Sequence, residues 1–227
     1  MRVGVVQFPG SCDERDAMRA LAGCGTEPIL LWHDDADLRG VEAIVLPGGF
    51  SYGDYLRTGA IARFAPVMGA VVEFAERGGP VLGICNGFQV LCEAGLLPGA
   101  LTRNAGLRFV HREQHIRVEA DCAWTTGVAP GTILRLPVKH GEGRYVHPDP
   151  DRLGAAGQVL ARYCDTVGAV TQEANPNGSL AGIAGVTNER GNVAGLMPHP
   201  EHAVDALLGS TDGRLLLRAI LGAKVAR

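Results

Sequence analysis

The sequence predicts an α/β fold built on a mostly parallel sheet with helices on both faces. Three observations carry that expectation. Short apolar runs alternate with helical spacing through residues 2–95. The runs are continuous rather than alternating in polarity, as in strands buried on both faces. Glycine punctuates the junctions, at 32 of 227 residues, well above the usual share of about 7%.

Taken in order, "RVGVVQF" (2–8) reads as a first buried strand stopped by Pro9-Gly10, and "DERDAMRALAGCG" (13–25) as a helix with a Gly stop. "PILLWH" and "VEAIVLP" read as strands two and three. "AIARFAPVMGAVVEFAERGG" has helical spacing interrupted by Pro66, "PVLGI" is a fourth strand, and "NGFQVLCEAG" a short helix ended by Gly95. Such alternation implies a parallel sheet between helices. Beyond Gly95, "LRFVHREQHIRVEA", "TILRLPV" and "GQVLARYCD" read as partly exposed antiparallel strands. "SLAGIAGVTNERGNVAGLM" reads as a hairpin turning at Asn188–Asn192, and "TDGRLLLRAILGAKVA" as an amphipathic helix beginning near Thr211. The expectation is one domain over residues 1–227, carrying a small antiparallel patch.

Composition narrows the function. Net charge is −3 and aromatics are 5%, so neither a basic field nor stacking platforms for nucleic acid are signalled. No apolar run approaches the ~20 residues of a membrane span, and "MRVGVVQF" lacks the order of a secretory leader. The chain reads as cytoplasmic, with its six cysteines reduced. They form no C-x-x-C pair, so no metal or redox site is expected, and most read as small core residues.

Cys85 is the exception. Gly83-Ile84-Cys85-Asn86-Gly87 follows a strand and opens a helix, the thiol form of a nucleophile elbow. Small residues two before and two after are needed because a Cβ there would strike the strand or the helix. At a helix start the positive dipole end favours a thiolate, and the Asn86 N–H is placed to receive an oxyanion. The plainer alternative is a buried cysteine on a tight turn. Gly49-Phe50-Ser51-Tyr52-Gly53 matches the serine version, but four loop residues separate Ser51 from the strand end at Leu46. Gly48-Gly49 suits a backbone donor loop better. Cys92 reads as core.

A catalytic thiol needs a base. His199 lies between Pro198 and Pro200, which stiffen its backbone. In extended chain Glu201 would point the same way and hold one ring nitrogen protonated. A stiff turn entering the next helix is the alternative. His202 is a weaker base candidate, and His33, His111, His115 and His147 read as surface residues.

With these residues in place, "LPGGFSYGDYLR", "GICNGFQVL", "HGEGRY" and "NPNGSLAGIAGVTNERGNVAGLMPHPE" resemble class I, triad-type glutamine amidotransferases. More narrowly they are similar to the glutaminase subunits of phosphoribosylformylglycinamidine synthases. The resemblance covers nearly the whole chain, although "FPGSCDERD" is one residue shorter after "FPG" than the usual pattern, which bears on the contact made by Ser11 and Cys12. It implies a flavodoxin-like fold and a Cys85–His199–Glu201 triad. It also implies oxyanion-hole positions at Gly49 and Asn86, and substrate contacts from Gly48, Gln89, His140, Gly141 and Glu142. No metal or cofactor is implied for this chain, and no G-x-x-x-x-G-K-[ST] phosphate loop is present. ATP and magnesium would be used by a partner synthetase subunit, with a small third subunit completing the complex. The basic stretch "RFVHREQHIR" reads as a solvated edge or a partner surface. A free-standing cysteine hydrolase of the same fold and a non-catalytic binding subunit are the competing readings.

Overall fold

A computed structural model gives the structure of the chain and describes residues 1–223. Its main sheet has nine strands. Five are parallel: β1 (Arg2–Gln7), β2 (Glu27–Trp32), β3 (Ala43–Leu46), β4 (Val81–Ile84) and β11 (Val193–Leu196), in the order β2-β1-β3-β4-β11. That is the flavodoxin-like order. Val3, Val5, Val6, all of β3 and Val81–Ile84 are buried, which explains their unbroken apolar runs. β2 is the edge, and its Leu30 and Trp32 are exposed.

From β1 the chain crosses by α1 (Glu14–Gly23) to β2, then returns to β3 and passes by α2 (Pro66–Glu76) to β4. Right-handed crossovers in opposite directions place these helices on opposite faces. α1 buries Ala17, Ala20 and Leu21, and α2 buries Val67, Met68, Val71 and Ala75, each at helical spacing. Pro66 begins α2 rather than interrupting a longer helix. A proline at the first position lacks only an N–H that would be unpaired anyway. The preceding stretch Ala62–Phe64 is a separate 3₁₀ turn.

The antiparallel strands form the expected small sheet and also extend the main one. β10 (Ile183–Thr187), β9 (Val159–Cys164), β6 (Val110–Val118) and β7 (Ile133–His140) continue the same sheet beyond β11, all antiparallel. β10 and β11 form the expected hairpin, with Gly185 opposite Leu196. A separate two-stranded sheet joins β5 (Ala100–Thr102) to β8 (Arg144–Val146). The basic stretch is β6, which lies between β9 and β7 and is not an edge. Within β6 only 111–113 are exposed, together with Arg108 and Phe109 of the stretch just before it.

α3 (Asn86–Glu93) follows β4, and α4 (Pro150–Ala155) precedes β9. α5 (Gly213–Ala219) begins two residues after the expected start and stops short of the expected length, residues 220–222 forming a turn; the part expected beyond residue 223 lies outside the described residues. Among the described residues no helix is long and apolar enough to cross a membrane.

Because β1, β3, β4 and β11 are parallel, their carboxyl ends share one edge. The strand order reverses there, between β1 and β3, and such switch points are where open α/β sheets place their sites.

Candidate active site

Four strand ends deliver the site: residues 8–13 after β1, 47–50 after β3, Cys85 after β4, and 198–201 after β11. Cys85 has φ 50° and ψ −103°, a strained conformation for a residue with a Cβ. The flanking glycines make the turn possible. A Cβ on Gly83 would lie 2.6 Å from the Gly87 backbone, and one on Gly87 would strike the Leu46 carbonyl. The Cys85 N–H donates to the Leu196 carbonyl at 2.8 Å, and the Gly87 N–H to the Pro47 carbonyl at 3.1 Å. The elbow is therefore pinned to both neighbouring strands. The Cys85 thiol faces the Lys139 carbonyl at 3.8 Å.

His199 is fully buried. Its N–H donates to the Pro137 carbonyl at 2.9 Å, and its ring stacks on His202 at 5.2 Å between centroids. Nδ1 lies 2.6 Å from Glu201 Oε1, and Nε2 has no hydrogen-bond partner. Glu201 reaches the ring by a different route from the one expected. Pro200–His202 form a 3₁₀ turn rather than extended chain, and that turn brings the carboxylate back over position 199. Burial alone pulls the imidazole pKa down. The Glu201 carboxylate and the sulfur of Cys85 outweigh burial and push it up to about 10. A histidine held as imidazolium beside a sulfur and a carboxylate can carry a proton to a leaving group.

The space these groups face is a cavity of about 300 Å³, at the small end for ligand sites. Cys85, His199, Gly49, Gln89, His140, Gly141 and Glu142 all line it. Glu201 stands behind His199. Asn86, the first residue of α3, has an N–H that no turn of its own helix can satisfy. Gly49 has φ 142°, and a Cβ there would come within 2.6 Å of the Cys12 nitrogen. Only glycine fits where this loop pairs with Ser11. Gly48 is set back from the cavity, against Asp13 and His199.

The Asn86 side chain accepts from the Ser51 N–H at 3.1 Å and donates to Gln89 Oε1 at 2.9 Å; Gln89 in turn donates to the Glu142 carbonyl at 2.5 Å. Two of the expected substrate-contact positions, Gln89 and Glu142, are thus linked to Asn86 in one network. Ser51 is buried and opens a 3₁₀ turn, with no hydrogen bond from its hydroxyl; it is not on an elbow.

Three polar residues of this region escaped sequence reasoning. Asp13 lies 3.6 Å from His199 Nδ1 and 2.6 Å from Lys139 Nζ. Asp54 lines the cavity, its carboxyl raised to about 6 by burial first and the Glu142 carboxylate second. Asn177, in "NPNGS", donates to His140 Nε2 at 3.0 Å. The Asn177 carbonyl accepts from the Ser179 N–H and hydroxyl, which fixes the amide orientation. His140 Nε2 must then be an acceptor, so the ring proton sits on Nδ1. Burial, and the charge of His199 after it, lower the His140 pKa to about 3. Asp13 was hidden as the first residue of a helical stretch, and Asn177 by its distance along the chain. The six cysteines are all free; Cys24, Cys122 and Cys164 are buried, Cys92 is half-buried, and Cys12 is exposed at the cavity wall.

Comparison with known proteins shows the family of the chain. Residues 1–213 match the CobB/CobQ-like glutamine amidotransferase domain. A Rubrobacter xylanophilus protein named phosphoribosylformylglycinamidine synthase subunit PurQ is 60% identical, covering 99% of this chain and all of its own. A Frankia casuarinae protein of the same name is 58% identical, covering 97% of this chain and 93% of its own. A chain of the solved structure of PurLQS from Thermotoga maritima superposes with TM-score 0.87 at 44% identity, covering 97% of each chain. A putative GMP synthase subunit from Thermoplasma acidophilum, at 18% identity and TM-score 0.64, shares the fold. The chain belongs to the family of CobB/CobQ-like glutamine amidotransferase domains, among the relatives named PurQ.

Proposed function

We propose that this chain is the glutaminase subunit of a phosphoribosylformylglycinamidine synthase. It hydrolyses glutamine to glutamate and ammonia. The ammonia passes to an ATP-dependent synthetase subunit that converts formylglycinamide ribonucleotide to formylglycinamidine ribonucleotide. ATP and magnesium act on that partner, a small third subunit completes the assembly, and the complex works in the cytoplasm. The observation that carries the reading is a Cys–His–Glu constellation on a nucleophile elbow, in a chain 60% identical over its length to a PurQ protein.

In this reading the Cys85 thiolate attacks the carboxamide carbon of glutamine. The oxyanion is received by the N–H groups of Gly49 and Asn86, each such donor contributing ~2.7–4 kcal/mol in the transition state. His199 gives its proton to the leaving nitrogen, and ammonia departs. A γ-glutamyl thioester remains on Cys85. Water, deprotonated by His199, attacks it and releases glutamate, and Glu201 holds the imidazole in register throughout. Gln89, His140, Gly141 and Glu142 shape the part of the cavity that takes glutamine, while Gly48, expected as a substrate contact, stands behind the wall against Asp13 and His199.

The test is Cys85→Ala in the reconstituted synthase. Glutamine-dependent product formation is lost, by at least roughly 10⁴-fold, while synthesis from added ammonium salt persists. Glutamine use retained by that variant would sink the assignment.

A further inference from the structure

Asp13 is the N-cap residue of α1, yet its side chain makes no capping hydrogen bond. An aspartate at that position ordinarily accepts from the first turn of its helix. Here the carboxylate turns inward and is 3% exposed. Oδ1 takes the Lys139 ammonium at 2.6 Å, while Oδ2 faces His199 Nδ1 at 3.6 Å and has no hydrogen bond. A buried carboxylate oxygen without a partner is costly, so a cap has been given up for a less satisfied place. Room for that place comes from Gly48. A Cβ there would come within 2.7 Å of His199 Cε1 and closer still to the Asp13 carboxylate.

At 3.6 Å Asp13 does not share the Nδ1 proton, which Glu201 already holds at 2.6 Å. Its action on the ring is through its field. The groups facing His199 are Glu201 on its own turn, Cys85 on the elbow, His140 on β7, the stacked His202, and Asp13 at the start of α1. Lys139 and Asp16 act at one remove, on Asp13 and His202. Lys139 grips the far oxygen and leaves the near one toward the imidazole. The same residue's carbonyl is the one facing the Cys85 sulfur.

We infer that Asp13 is a positioning residue of the glutaminase site, a second carboxylate that works through His199. It adds negative potential beside Nδ1. By clasping Lys139 it also ties the start of α1 to the β7 backbone opposite the sulfur. This rests on the Cys85–His199–Glu201 reading above.

Two variants test it. Asp13→Asn keeps the shape and removes the charge; Asp13→Ser removes the charge and offers a capping oxygen. Folding of each is checked by thermal unfolding. In both, the alkaline titration of the His199 ring, followed by NMR of its Cε1–H, moves to lower pH by about one unit, the lower end of what an opposite charge within ~4–6 Å does. The alkaline limb of kcat/KM for glutamine in the assembled synthase moves the same way. Folded variants with both midpoints unchanged overturn the proposal. If neither variant folds, Asp13 serves the fold alone and the proposal is likewise overturned. Absence of any alkaline His199 titration in the unaltered protein is a different result: it removes the Cys85–His199 pairing, and Asp13's role with it.

Discussion

Two buried histidines line the same cavity, His199 on the turn after β11 and His140 at the end of β7. They have the same side chain and nearly the same burial, yet one is driven to the cation and the other to the neutral ring. At His199 the Glu201 carboxylate and the Cys85 sulfur outweigh burial and push the imidazole pKa up to about 10. His140 has an amide on Nε2 and no acid on its ring, and it stays neutral down to about pH 3. Burial disfavours charge at both positions, and the partner decides which ring overcomes it. Each imidazole therefore suits a different task, one to move a proton and the other to present a fixed Nδ1–H donor.

The contrast can be broken most severely at its acidic side. Glu201→Gln leaves the shape but removes the anion on Nδ1. It should lower kcat by roughly 10³–10⁴-fold with little change in KM. Steady-state glutaminase assays of the complex measure it, and a loss of less than tenfold would mean that Glu201 is not the residue orienting the ring.

The reverse change is Asn177→Asp, which sets a carboxylate against His140. His140 should then take a proton near neutral pH and repel the imidazolium of His199. A fall in kcat/KM of about tenfold is expected, one factor of ten for each pH unit of unfavourable pairing. Ring NMR should show the His140 titration rising from about 3. If that titration stays where it is, Asn177 does not control the ring.

The contrast also acts on stability against pH. The folded-state pKa of His199 is raised, so its contribution is full below the unfolded value of ~6.5 and is lost as pH rises toward about 10. For His140 the folded value is depressed, so the unfolded chain binds more protons below ~6.5. Its contribution is lost as pH falls toward about 3. Urea midpoints taken across this range should fall on both sides. His199→Asn should flatten the alkaline side and His140→Asn the acid side. Equal flattening of both sides by either variant would mean that the two rings are not independent.

How much of this was legible in the sequence follows from how local each feature is. The parallel strands declare themselves through unbroken apolar runs such as Ala43–Leu46, because both faces of each are covered. The elbow is legible because Gly83 and Gly87 answer to clashes within a few residues of Cys85. The hairpin at Asn188–Asn192 carries its own turn chemistry, with the Asn188 side chain donating to Asn192 Oδ1 at 2.9 Å. The antiparallel extension was underestimated because β6, β7 and β9 are contiguous with the main sheet only through long-range pairing. β5 and β8 have three residues each, too few for periodicity to register. Asp13 and Asn177 were missed for a related reason. An aspartate opening a helical stretch reads as part of it, and an asparagine in a Pro-Gly-rich stretch reads as a turn. Their actual partners, Lys139, His199 and His140, are distant in the chain.

β11 has two neighbours of different kinds: β4 alongside in parallel and β10 antiparallel through the hairpin. Its register sets Leu196 beside Ile84, and the residues that follow each strand are His199 and Cys85. The thiol is synthesised well before the imidazole. A ribosome-bound chain that has folded only its early strands carries Cys85 without the base that would activate it. In the proposed mechanism the sulfur is therefore armed only once the β10–β11 hairpin is in place, and a chain ending before Val193 carries the nucleophile without its base.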